Sequence, residues 1–419
     1  MLRIDQIQVG MTLGKDLLSP QGRMLLPKGT MLTDKHLRIC KVWGVLEAEI
    51  EESPQSDIAP QQRTEIDPKI ISAAEEVAAT LFLHANQDHE AIRELLDIFT
   101  QTATQDNNSC YLEAHRKKIN RNSLAHTAPD LATAQSCDAM QLVKEETQLA
   151  SLPDVYARIV EAINNPRSSA SYVADIIGKD VSLAARLLKL VNSAFYSFPN
   201  RIDTLPRAVT IIGTNQLSTL ALGISIISLF KNIAPEVLDL KSFWHHSVAC
   251  GIASKLLAAN FADTSEERCF VAGLLHDVGR LIVLENAPEA AQFVLITAQS
   301  QGLPLLEFEK QYWGSDHGMI GAALMRAWKF PSVLEKAVRY HHQPLTGKAP
   351  IEAAIVNLAD IIVHATIPAS SGNHYVPPLA EQTWKLLGLK HSMLFPLCDQ
   401  LNFMLDQTMR LFFAEEDHD

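Results

Sequence analysis

"GLLHDVGRLIVLENAP" runs from residue 273 to residue 288, and its reading decides the fold. The stretch is apolar nearly throughout, yet His276 and Asp277 stand side by side within it. An unpaired buried charge is costly, so Asp277 needs a cation, a donor network or a metal. Successive residues on a helix point about 100° apart. The two side chains can therefore approach one centre only near a helix end, and a local break near Gly279 would help. The simpler reading is a helix carrying a solvated His-Asp step. The rest of the chain decides between them.

Further imidazoles and carboxylates stand in segments with helical periodicity. "KSFWHHSVACGIASKLLAANF" offers His245 and His246, "GSDHGMIGAALMRAWKF" offers His317, and "VLEKAVRYHHQP" offers His341 and His342. "IEAAIVNLADIIVHA" offers Asp360, which faces the same burial cost as Asp277. Mixed imidazole and carboxylate donors suit divalent ions such as Mn²⁺, Fe²⁺, Mg²⁺ or Zn²⁺. A carboxylate can bridge two ions about 3.5–4 Å apart, which can clamp a phosphoryl oxygen and activate a water. Taken singly, each histidine reads as a satisfied core residue, and His341–His342 as a solvated helix C-terminus. The set shifts the balance. His364, His374 and His391 have no such company and are left out.

Working outward, helix follows helix from about Asp138 to residue 416. "LPDVYARIVEAINNP" places Leu152, Val155, Ile159, Ala162 and Ile163 on one face. "SASYVADIIGKD" and "SLAARLLKLVNSAFY" follow, each opened by a serine suited to capping. No strand pattern of useful length and no fixed-period repeat is visible there. The first 52 residues differ: Gly or Pro recurs every few residues between short apolar runs, which predicts small strands. "HLRICKVWGVLEAEIEE" then predicts a helix, a stop at Gly44 and a closing strand. "SPQSDIAPQQRTEIDP" reads as a linker, residues 66–120 as a helical segment, and "HRKKINRNSLAHTAPDLATAQS" as a second linker.

The expected fold is thus mainly α. A small β-containing module (1–52) and a helical segment (66–120) precede a two-lobed all-α region over 138–416. That region divides into an earlier lobe (138–230), a metal-site lobe (240–370) and C-terminal helices (376–416). At 419 residues the chain is long enough for two or three domains. A formal net charge of −12 argues against a nucleic-acid partner. Six cysteines without a CxxC pair fit reduced, mostly structural thiols in a cytoplasm and argue against a zinc-thiolate site. "MLRIDQIQVG" lacks the apolar core of a signal peptide. Ala208 to Phe230 carries no charge over a bilayer-spanning length, but its first half is too polar, which predicts a short buried core helix. The expectation is a soluble, cytoplasmic protein with no membrane span.

The order H…HD…H…HH…D resembles the HD superfamily of metal-dependent phosphohydrolases, in the extended form of HD-GYP proteins. The wider context is similar to one branch, the HDOD domain of bacterial signalling proteins. Six blocks carry the likeness over roughly residues 138–370: "LPDVYARIVEAI", "VADIIGKDVSLAARLLKLVNSAFYSFPNRIDTLPRAVTIIG", "FWHHSVACGIASKLLA", "FVAGLLHDVGRLIV", "HGMIGAALMRAWKFP" and "AVRYHHQP". The first 52 residues resemble a module found ahead of HDOD or HD-GYP domains. The resemblance implies one metal held by His246, His276, Asp277 and Asp360. A second would use His317, His341 and His342, with Asp277 shared. It favours His246 over His245 and leaves that pair open. One or two divalent ions are implied, with a dinuclear iron, manganese or magnesium site as the fuller form.

Two departures bear on function. Gly-Tyr-Pro does not follow the paired histidines, where the text is "HHQPLTGKAP", and Arg280 stands where those phosphodiesterases usually have lysine. Arginine holds a phosphate in a fork but does not readily donate a proton, so Arg280 is the candidate substrate-binding residue and cyclic di-GMP hydrolysis is not expected. The reading adopted is a bacterial intracellular regulatory protein with the HDOD domain as sensor or scaffold and other signalling proteins as partners. The alternative is an active phosphohydrolase acting on a nucleotide or cyclic dinucleotide.

Overall fold

A computed structural model describes residues 67–413 apart from 105–107, 120–136, 150–153, 166–167, 194, 197, 199–200, 228, 231–232 and 348. Of the first 66 residues it describes 2–3, 7–18, 24–33, 36–37, 40 and 47–51. The stop expected at Gly44, the first linker up to Ile66 and most of the second linker lie outside the described residues.

The N-terminal module has the small strands that its turn residues predict. Strands β1 (Leu2–Arg3) and β4 (Glu47–Ala48) pair antiparallel, as do β2 (Leu17–Leu18) and β3 (Met24–Leu26). Leu13, Leu17, Leu26, Leu32 and Cys40 build a small core of their own.

From residue 67 onward every regular element among the described residues is helical. Helices α1 (Pro68–Leu81), α2 (Glu90–Thr104) and α3 (Ser109–Ile119) come first. Helix α3 takes in His115 to Ile119, where the helical segment read to residue 120 and the second linker read from residue 115 overlap, and His115 and Lys118 are buried. Its run of charges reads as linker, and only the partner surface supplies the reason to fold it.

Next come α4 (Ala139–Leu149), α5 (Asp154–Asn164), α6 (Ala170–Gly178), α7 (Val181–Val191), α8 (Leu205–Ile212) and α9 (Thr214–Ile227). Ser169 caps α6 as expected, accepting from the Tyr172 amide. Helix α7 is capped by Asp180 rather than by Ser182, which falls inside the first turn. A carboxylate there satisfies an amide and also faces the positive end of the helix dipole. The uncharged run from Ala208 divides at Gly213, where φ is +103° and the chain bends by 117° between α8 and α9. Among the described residues no single helix is long and apolar enough to cross a membrane, although the bent pair passes by length and composition. Leu217 to Ile227 is buried without interruption, the core helix predicted for this run.

The remaining helices are α10 (Leu240–Ala258), α11 (Glu266–Leu275), α12 (Val278–Asn286), α13 (Pro288–Ser300), α14 (Leu305–Trp313), α15 (His317–Ala327), α16 (Ser332–Tyr340), α17 (Pro350–Thr366), α18 (Glu381–Leu387) and α19 (Leu394–Phe413). Helices α10 and α17 are apolar on all sides and are buried along most of their length, which marks them as central. One buried apolar cluster runs from Ala74 to Leu405, so α1–α3 and the later helices share a core. Helices α10 and α11 cross at two glycines. A Cβ on Gly251 would lie 2.9 Å from the Phe270 carbonyl oxygen, and one on Gly273 would lie 2.5 Å from that of Cys250. No side chain fits between these backbones, and that closeness brings His246 and His276 together.

Candidate metal centre

The break that the His-Asp pair requires falls at the pair itself. Helix α11 ends at Leu275, α12 begins at Val278, and Asp277 sits between them with φ −98° and ψ 3°. The Asp277 carboxylate makes no capping bond to α12 and is left to face inward. Gly279 has a different role from the break expected there. A Cβ on it would lie 2.1 Å from the His317 carbonyl oxygen, so it lets α12 press against the start of α15.

The structure brings all seven candidate ligand residues into one buried cluster. His246 comes from α10, His317 opens α15, His341 and His342 follow α16, and Asp360 comes from α17. His246 Nε2 lies 3.2 Å from Asp360 Oδ1 and 3.8 Å from Asp277 Oδ2. His276 Nε2 lies 3.2 Å from Asp277 Oδ2 and 3.5 Å from Asp360 Oδ1. His317 Nε2 lies 3.0 Å from Asp277 Oδ1, 3.2 Å from His341 Nε2 and 2.8 Å from His342 Nε2. Asp277 therefore faces both groups, with Oδ2 toward His246 and His276 and Oδ1 toward His317. His245 is outside the cluster, and His246 is the member of that pair which points in.

Three imidazoles are locked with Nε2 toward the centre. His276 Nδ1–H donates to the Gly273 carbonyl at 2.7 Å, and His341 Nδ1–H to that of Val338 at 2.7 Å. His317 Nδ1–H donates to Glu309. Anchoring one ring nitrogen to a carbonyl or carboxylate fixes the tautomer that metal ligands use. His276 Nε2 is buried and has no hydrogen-bond partner of acceptable geometry. An unpartnered inward nitrogen beside two buried carboxylates fits a divalent cation, which would neutralise the carboxylates and satisfy that nitrogen.

The electrostatics show how tightly the cluster is balanced. Burial opposes charge on Asp277, Asp360 and Glu309. Even so, Arg280 and His276 beside Asp277, and His364 and His246 beside Asp360, hold those two carboxyls well below the usual range. Glu309 is held at about 2 by His317 and Arg280 against the same burial. His276 resists its own burial because Asp277 and Asp360 lift it to about 10, and His317 is raised by Glu309 and Asp277. His246 and His341 are pushed to about 3, chiefly by burial.

Arg280 is placed differently from the expected phosphate fork. Its Nε donates to Glu309 at 2.7 Å, and Nη1 donates to Asp277 at 2.6 Å and to Ser371 at 2.8 Å. Its Nη2 lies 3.0 Å from His317 Nδ1. The guanidinium is buried and engaged with its own chain.

Sequence reasoning did not single out four residues here. Glu309 holds both Arg280 and His317, and the Ser371 hydroxyl donates to Asp277. His364 Nε2 sits 3.2 Å from Asp360 Oδ1, and Cys250 Sγ sits 3.5 Å from His246 Nε2. For the last two a signal existed: each stands four residues after a candidate ligand, on the same helix face. Glu309 and Ser371 carried none, because only the fold brings them in.

Comparison with known proteins finds a family match over part of the chain. Residues 149–344 match the HDOD domain family. An uncharacterized protein of Treponema pallidum is 27% identical over 195 residues, which is 46% of this chain and 37% of that protein. The match thus spans well under two thirds of the relative's length. A candidate signal transduction protein from Marinobacter aquaeolei is 22% identical, with a TM-score of 0.53 covering 72% of this chain and 65% of its own. An HDOD domain protein of unknown function from Geobacter sulfurreducens is 23% identical, with a TM-score of 0.48 covering 67% of this chain and 93% of its own.

Proposed function

Because residues 149–344 are an HDOD domain, we propose that this chain is a regulatory protein whose HDOD core binds divalent metal and relays its state to protein partners. The observation that carries this reading is the buried convergence of His246, His276, Asp277, His317, His341, His342 and Asp360, with their anchored imidazoles. His246, His276, Asp277 and Asp360 would hold one ion. His317, His341 and His342 would hold a second, with Asp277 shared. A bound cation would supply the positive charge that Asp277 and Asp360 need in an apolar interior. Arg280 and Ser371 restrain Asp277, and Glu309 fixes the His317 ring.

Two observations favour regulation over turnover. Arg280 spends its donors on Asp277, Glu309 and Ser371 and has little left for a phosphate. Of the seven residues only His342 is partly exposed, so a substrate would have a narrow approach. The alternative, a phosphohydrolase acting on a nucleotide or cyclic dinucleotide, is favoured by the complete donor set. The test is elemental analysis of the purified wild type against His276→Ala and Asp360→Ala, with a generic phosphodiester assay in added Mn²⁺. Bound metal in the wild type, its loss in both variants and negligible turnover are expected. Equal metal content in all three proteins refutes the site, and robust metal-dependent turnover moves the conclusion to the alternative.

A further inference from the structure

Cys250 stands one helical turn after His246 on α10 and is wholly buried. Its Sγ lies 3.5 Å from His246 Nε2 and 3.9 Å from Asp360 Oδ1. One donor atom each from His246, Cys250, His276 and Asp360 can be chosen so that all lie within 4.8 Å of one another. The ordinary reading of a buried thiol is a small apolar filler, and Cys269 and Cys398, also buried, fit it. Cys250 differs because it faces the orphaned Nε2 of His276 and a carboxylate.

The separations decide between the readings. A tetrahedral ion with a sulfur bond of about 2.3 Å and nitrogen or oxygen bonds of about 2.0–2.2 Å sets neighbouring ligand atoms roughly 3.4–3.6 Å apart. The sulfur-to-nitrogen distance is 3.5 Å and the two nitrogen-to-oxygen distances are 3.2 and 3.5 Å. The sulfur-to-oxygen distance of 3.9 Å is a few tenths longer. Four of the six edges of such a tetrahedron are thus close to the expected length, and the remaining two, from His276 to His246 and to Cys250, lie within 4.8 Å.

We infer that Cys250 is itself a ligand in the place given above to Asp277, so that the first metal position is a closed set of the His246 and His276 imidazoles, the Cys250 thiolate and the Asp360 carboxylate, with Asp277 left to the second ion. The inference rests on the proposed metal binding and specifies its chemistry. Thiolate selects zinc or ferrous ion over magnesium or manganese. Four protein donors leave no open corner, the pattern of structural rather than catalytic zinc sites. To hold the ion as a thiolate, Cys250 would give up its proton to solvent. Burial and the nearby Asp360 and Asp277 carboxylates oppose that ionisation, and a bound cation would reverse the balance.

Cobalt(II) separates this inference from the reading beneath it. The full-length protein would be loaded with Co²⁺, and its metal content and absorption spectrum recorded for wild type, Cys250→Ser and Cys250→Ala. A near-ultraviolet sulfur-to-cobalt charge-transfer band is expected in the wild type and absent from both variants. Cys250→Ser, close in size, should still fold and keep some cobalt through the remaining donors. Cobalt bound to the wild type without that band overturns Cys250 as a ligand and leaves metal binding standing. A band that persists in either variant overturns it too, by assigning the sulfur elsewhere. No cobalt in the wild type overturns the metal reading and this inference together.

Discussion

A single glycine hydrogen limits how closely α12 and α15 can approach. Gly279→Ala would place a methyl 2.1 Å from the His317 carbonyl oxygen and 2.6 Å from the Gly321 nitrogen. Backbone cannot yield as a side chain can, so the helices must part and carry His317 away from Asp277. Overpacking of this kind costs about 1–3 kcal/mol. Urea unfolding is expected to show that loss, with reduced metal content beside it; an unchanged midpoint refutes the contact. Glu309 sets a second test. Glu309→Ala leaves Arg280 and the Nδ1–H of His317 without their acceptor in a buried site, and breaking such a pair costs about 3–5 kcal/mol. A loss below 1 kcal/mol would mean that Asp277 and Ser371 suffice to hold Arg280. Legibility divided at this scale by chemistry. Asp277 and Asp360 were readable because a carboxylate in an apolar run demands an explanation. Glu309 sits in "LLEFEKQYW" beside the exposed Glu307 and looks like the wet face of an amphipathic helix. Only the arrival of Arg280 from α12 turns it inward.

Helix α3 caps the far end of the helix that carries Asp360. Lys118 Nζ donates to the carbonyls of His364 at 3.0 Å and Ile367 at 3.4 Å, and the Tyr111 hydroxyl donates to that of Thr366 at 3.1 Å. These are the orphan carbonyls that every helix C-terminus leaves. Burial brings Lys118 down to about 7, despite the pull of Asp360. Between about 7 and the ordinary lysine value of 10.5 the unfolded chain binds the proton that the folded chain has lost. Stability owed to Lys118 must then rise with pH across that window and stay flat below it. The unfolding free energy of wild type minus that of Lys118→Met is expected to grow between pH 7 and 10, with other titrations cancelling in the difference. Parallel curves would refute it. The helical class was readable from periodicity, but "HRKKI" read both as the end of a helical segment and as the start of a linker, because the surfaces that fold it lie far along the chain.

At the scale of the molecule, two cores separate what may be removed from what may not. The first 51 residues build their own apolar cluster, whereas Leu81, Phe82, Ile92, Leu95 and Phe99 of the α1–α2 region enter the main one. A chain starting at residue 67 is expected to keep the melting temperature of the helical part. One starting at residue 138 should melt lower, by about 2–4 °C for each kcal/mol of burial lost, and bind a hydrophobic dye. The opposite order would mean that the small module supports the rest.

The way α1–α3 are fastened has a consequence for synthesis. The Leu81 carbonyl accepts from the Val376 amide, Glu90 accepts from Trp384, and Asn86 bonds Leu379 across 293 residues. At about 5–20 residues per second on the ribosome, the apolar face of these helices waits roughly 15–60 s for the segment that covers it. Contacts of such long separation form late. Until then that face stays open to solvent, and ribosome-bound chains stalled before residue 376 are expected to be cut by protease within α1–α3, where the released protein resists.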